Sequence, residues 1–116
     1  MLDKAEAIDI AKKYANEVLK VLDVDAIIFF GSFVHGYPHE YSDLNIAVIA
    51  EGFEGDWWEM SSLLHTIASG FSCIISPEFF DDLTPNRKGE YIGQGIENGI
   101  VLYSKEDAKS KEIVSA

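Results

Sequence analysis

Apolar residues along this chain fall into blocks with two different periods. From residue 3 to residue 22, Ala5, Ile8, Ala11, Ala15, Val18, Leu19 and Leu22 recur every three or four positions with Lys and Glu between them. That spacing predicts an amphipathic helix. "AIIFF" at 26–30 and "LNIAVIA" at 44–50 are continuous apolar runs, the pattern of buried strands. The connection between them, "GSFVHGYPHEYSD", carries turn signals at Gly36, Pro38 and Ser42-Asp43. In "DWWEMSSLLHTIAS" the period returns to helical, with Trp57, Met60, Leu64, Ile67 and Ala68 on one face and Asp56 as the expected N-cap. "FSCIIS" at 71–76 reads as a third strand stopped by Pro77. A weaker helix is expected over 86–98, interrupted by Gly93 and Gly95 and ended by Gly99. "IVLY" makes a fourth strand, and the tail (104–116) is expected to be helical from Lys105, with frayed ends. The alternation of helices and strands predicts one α/β (α+β) domain over 1–116, a small mixed β-sheet flanked by helices.

Composition narrows the partners. Twenty acids against nine bases give the 116-residue chain a formal charge of −11. Such a surface repels a phosphate backbone, so non-specific binding to nucleic acid is not expected. The excess acid gathers in "EGFEGDWWE" and "PEFFDD". These runs read first as solvated surface, with a metal site or a basic protein partner as the alternative. A single cysteine, Cys73, excludes an internal disulfide, and "AIIFF" is too short to cross a membrane. With charges spaced through the first residues and no leader-like apolar core, a cytoplasmic protein without membrane association is expected.

The candidate chemistry lies in "GSFVHGYPHEYSDLNIAVI", residues 31–49. A Gly-Ser pair at the end of a buried strand lets the backbone turn sharply and approach a ligand. If a helical turn starts there, its free N–H groups favour phosphate, and the Ser32 hydroxyl adds a donor. Asp43 and Asn45 stand two apart at the start of the next strand, so their side chains share a face. Two carboxylates in that arrangement would hold hard divalent cations, and a third from a neighbouring strand would complete a two-metal clamp. Here the second of the two positions is an amide.

This arrangement resembles the minimal nucleotidyltransferases of the DNA polymerase beta superfamily, whose pattern is Gly-Ser, a nearby Gly, then Ser-Asp-x-Asp before an apolar strand. Gly31, Ser32, Gly36, Ser42 and Asp43 match it, and "IENGIVLY" is similar to the family's closing segment. The likeness runs from about residue 26 to residue 103. It implies the nucleotidyltransferase fold, Mg²⁺ held at Asp43 and Asn45, and ATP or another NTP held by Gly31, Ser32, His35, Gly36 and Ser42. Asn45 stands where the family has its second Asp. The family's third acid lies on the strand after the long helix, often just before a proline, and "CIISPEFF" matches it with Ser76. Glu78 is the possible substitute, if the strand bends back.

Two of three carboxylates are thus replaced, and the resemblance implies a weak or inactive catalyst. Stand-alone members of this family resemble the antitoxin half of two-component modules, paired with a small helical HEPN protein. The acidic surface and the Trp57-Trp58 pair suit a protein interface of that kind, or a homodimer. The alternatives are an active Mg²⁺-dependent enzyme moving a nucleoside monophosphate to a protein or small-molecule hydroxyl, and an unrelated α/β domain in which the motif is coincidental. The remaining chemistry-bearing residues read as structural. His39 and His65 lack ligand spacing, Tyr41 is a turn tyrosine, and Cys73 is a buried strand residue.

Overall fold

The computed structural model describes residues 3–31, 34, 43–82 and 95–106. Helix α1 spans Lys4–Leu19. Its start is fixed by a reciprocal cap: the Glu6 N–H donates to the Asp3 carboxylate at 2.8 Å, and the Asp3 N–H to the Glu6 carboxylate at 3.5 Å. It ends before the expected residue 22. The N–H groups of Val21 and Leu22 both bond to the Val18 carbonyl, which closes the helix in a turn. The buried stripe is Ala7, Ala11, Tyr14, Ala15 and Val18, so Ala7 and Tyr14 join the predicted face and Ala5 leaves it for solvent.

Strands β1 (Ala26–Phe30), β2 (Leu44–Ile49), β3 (Ile75–Phe80) and β4 (Ile100–Ser104) form one mixed sheet in the order β3-β2-β1-β4. The two long apolar runs pair directly and antiparallel, from Ala26 opposite Ile49 to Phe30 opposite Asn45. That adjacency is what the motif requires; two strands lying apart in the fold would have pointed to coincidence. β4 pairs antiparallel with the other side of β1, and β3 pairs parallel with β2. The crossover that makes β3 parallel is helix α2, Trp57–Ala68, capped by the Asp56 carboxylate on the Glu59 N–H at 3.0 Å.

Both faces of the sheet are covered. Ile27, Phe29, Leu44, Ile46, Val48, Ile75 and Phe79 pack with α1 and with Leu64 and Ala68 of α2. On the opposite face Ile28, Phe30, Ala47, Ile49 and Phe80 pack with Ile96. This two-sided burial is why β1 and β2 read as unbroken apolar runs.

The third strand departs from its expected position. It starts at Ile75 and runs through Pro77 to Phe80, while Cys73 lies in the bend before it, half-buried. At the two ends of β3, the carbonyls of Ile74, just before it, and Phe80 accept from the N–H groups of Leu44 and Ala50, at 2.9 Å each. By alternation Pro77 turns its backbone outward. The sheet edge is where a missing N–H costs no ladder bond. "PEFF" is accordingly core strand, with Phe79 and Phe80 buried, and not the solvated surface its acids suggested. Of the helix expected over 86–98, a single 3₁₀ turn, Ile96–Asn98, falls on described residues; 86–94 and the tail beyond residue 106 lie outside them. Among the described residues, no helix is long and apolar enough to cross a membrane.

Candidate functional site

The site is assembled where β1 ends and β2 begins. Gly31 follows the last residue of β1 with φ +96°, a conformation that side-chain-bearing residues rarely adopt. A β-carbon at Gly31 would also overlap the carboxamide nitrogen of Asn45. The glycine is therefore required twice, for its turn and for the approach of Asn45. Asp43 immediately precedes β2 and Asn45 lies within it, both half-buried and on one face by strand alternation.

Register then brings in Ser76. Asn45 is flanked by Phe30 on β1 and by Ser76 on β3. The Ser76 hydroxyl donates to the Asp43 carboxylate at 2.9 Å. The Asn45 amide lies 3.5 Å from the Asp43 carbonyl, a long and weak contact. Three separate stretches of sequence thus converge, bringing together Gly31, Asp43, Asn45 and Ser76. Together they offer one carboxylate, one carboxamide and one hydroxyl. Glu78 projects to the same face as Ser76, opposite Ala47 and one pleat further from Asp43. It shares that face but stands opposite Ala47, where Ser76 stands opposite Asn45. Among the described residues, no group of three His, Cys, Asp or Glu side chains comes together in a metal-binding arrangement. Ser32, His35, Gly36 and Ser42, together with His39 and Tyr41, lie outside the described residues.

The chain was compared with known proteins. Its sequence matches the family of polymerase beta nucleotidyltransferases over residues 8–108. The chain belongs to that family. The match extends beyond the 26–103 legible in the motifs and takes in most of α1. Among solved structures, a provisionally assigned nucleotidyltransferase from Sulfolobus solfataricus superposes with a TM-score of 0.65 at 15% identity. The alignment covers 89% of this chain and 85% of that one, and it shows the shared nucleotidyltransferase fold. No curated protein matches the sequence.

Other chemistry-bearing groups in this family member have local explanations. His65 sits on exposed helix surface with its Nδ1 2.8 Å from the Ser61 carbonyl, which makes that nitrogen the donor. Burial pushes the Cys73 thiol above its ordinary pKa, which disfavours the reactive thiolate. At the far end of the sheet, the Asp25 carboxylate accepts from the Glu51 N–H at 2.7 Å and Asp23 pairs with Lys105 at 3.2 Å. The tryptophan pair divides: Trp57 donates its indole N–H to the Phe79 carbonyl at 3.1 Å, and Trp58 stands 77% exposed. Sequence reasoning missed a groove of about 410 Å³ lined by Phe53, Gly55, Asp56, Glu59, Met60 and Leu63. Its only sequence signal is the interleaving of aromatic and acidic residues in "EGFEGDWWEM".

Proposed function

We propose that this chain keeps the nucleotidyltransferase fold with little or no transfer activity, and acts by binding a partner protein. It would be the antitoxin-like half of a pair with a small helical HEPN-type protein, in the reducing cytoplasm that suits its single thiol. The observation that carries this reading is the Ser76–Asp43 hydrogen bond at 2.9 Å. A carboxylate at position 76 would add charge to the site. The hydroxyl there instead donates a hydrogen bond to the site's carboxylate and occupies one of its lone pairs.

The donor set does not fit a pair of magnesium ions. Mg²⁺ gives up water reluctantly and is held by carboxylates together with substrate phosphates. Asp43 supplies one charge, and Asn45 and Ser76 supply none. Removing one preorganised electrostatic group costs roughly 10²–10³ in rate, and two such losses reach towards background even where they are not additive. Phosphate binding is opposed as well. Between Lys20 and Arg87 the chain has no Lys or Arg, so the motif stretch carries no fixed cation for an anionic triphosphate. The alternative, an active Mg²⁺-dependent transferase acting on a protein or small-molecule hydroxyl, draws its support from Asp43 and from Glu78 on the same face.

Calorimetric titration with Mg·ATP and Mg·GTP separates the two. The wild-type chain is expected to bind neither at millimolar nucleotide, while Asn45→Asp combined with Ser76→Asp gains metal-dependent binding. Wild-type binding that requires Mg²⁺ and vanishes in Asp43→Ala would mean that the pocket still works, and would turn the test to transfer assays.

A further inference from the structure

The groove beside α2 combines an apolar floor with an acidic surround. Met60 and Leu63 stand three apart on α2 and present one flank of the helix, with Leu63 36% exposed. Phe53 closes the opposite wall, its ring held edge-on against buried Phe79 at 5.3 Å. Gly55 passes so close that a β-carbon there would lie 2.5 Å from the Phe53 ring, so the wall is shaped by a residue with no side chain. Asp56 and Glu59 line the opening, and exposed Glu51 and Glu54 precede it. The Asp56 carboxylate is engaged in capping α2. None of the ion pairs among the described residues reaches Glu51, Glu54 or Glu59. Lys and Arg are absent from residue 21 to residue 86, and Lys105, which lines a cleft with Glu51, is engaged with Asp23.

We infer that this groove is the docking site for a Lys/Arg-rich amphipathic helix of a partner protein. The apolar side chains of such a helix would lie against Phe53, Met60 and Leu63, and its cations would meet Glu54 and Glu59. Charge complementarity selects the occupant. An acidic or neutral helix would leave the carboxylates opposed or unpaired, and a second copy of this chain would bring its own negative charge. A helix also suits an elongated apolar flank better than an extended strand, which would need an open sheet edge. The inference rests on the reading that the chain works through a protein partner, and it names where that partner sits. The site lies on the helical side of the sheet, while Asn45 and Ser76 occupy the other face.

The test uses the full chain and a synthetic Lys/Leu amphipathic helical peptide, with its Glu/Leu counterpart as control. Isothermal titration at low and high salt is paired with NMR shift mapping. The Lys/Leu peptide is expected to bind with shifts centred on Phe53, Met60 and Leu63, and the Glu/Leu peptide not at all. Glu59→Lys and Leu63→Asp are each expected to weaken binding about ten-fold. Asp9→Lys on the exposed side of α1 changes net charge as much as Glu59→Lys and is expected to weaken it less than about three-fold. If Leu63→Asp fails to fold, Glu59→Lys and the shift map still decide. Equal loss in Asp9→Lys, or shifts spread over the whole acidic surface, would overturn the proposal by showing diffuse attraction. So would absence of binding. Groove binding by a chain that also binds Mg·ATP through Asp43 would overturn the functional reading and leave the docking site standing.

Discussion

At the scale of single residues, Gly31 is the most constrained position of the site. Its φ of +96° and its contact with Asn45 act together, so Gly31→Ala meets two penalties. Backbone strain there costs on the order of 1–3 kcal/mol, and the carboxamide must swing aside. Chemical denaturation is expected to show a loss of about 2 kcal/mol, partly recovered in the double variant Gly31→Ala/Asn45→Ala because the crowding is removed and the strain is not. A loss unchanged by Asn45→Ala would mean that the contact carries no energy. The identities of Gly31, Asp43 and Asn45 were legible in the sequence, since strand-end glycine and two-residue spacing are local signals. The Ser76–Asp43 bond was not, because it depends on a parallel register set across an intervening helix.

Among elements, α1 and α2 are joined through Tyr14. Its hydroxyl, wholly buried, donates to the Leu64 carbonyl at 2.9 Å, and its ring meets Phe71 edge-on at 5.9 Å. Burial holds the phenol above its ordinary value of 10.0. Folding therefore favours the neutral form, and this contribution is whole below pH 10. It shrinks as pH rises further, because the unfolded phenol ionises first. Tyr14→Phe is expected to cost about 1 kcal/mol at neutral pH and to flatten the alkaline fall in stability, read from denaturation midpoints at several pH values. The same scale explains what sequence reasoning placed well and badly. α1, α2, β1 and β2 stood out because each repeats one period over its whole length. β3 lies later than 71–76 because Pro77, a terminator by its residue type, sits within the strand. It is tolerated by its position on an outer edge whose Phe79 carbonyl is also taken by Trp57. That edge has little left to offer another strand.

Across the whole molecule, charge is the dominant feature. With a formal charge of −11, the folded chain repels itself at low ionic strength. Adding salt from near zero to about 0.15 M shortens the screening length to about 8 Å. Thermal unfolding is expected to shift upward by about 4 °C, the equivalent of about 1 kcal/mol for a chain of this size. A flat melting temperature over that range would show that the acids are already compensated. The fold itself was legible at this scale, since a mixed sheet with helices follows from element order. The groove beside α2 was not, because it is made by a loop closing on a helix flank.

The parallel register of β2 and β3 also fixes how near this face stands to a different chemistry. Ser76 and Glu78 project to the same side, while the Pro77 ring between them points to the opposite, buried face and its backbone to the sheet edge. Excising the pair Ser76-Pro77 would preserve the in–out alternation of the strand, because two residues leave together. Glu78 would then stand opposite Asn45, where Ser76 now stands, and Phe79 would take the inward place of Pro77. A short deletion, with no new side chain introduced, would exchange a proton donor for an anion beside Asp43.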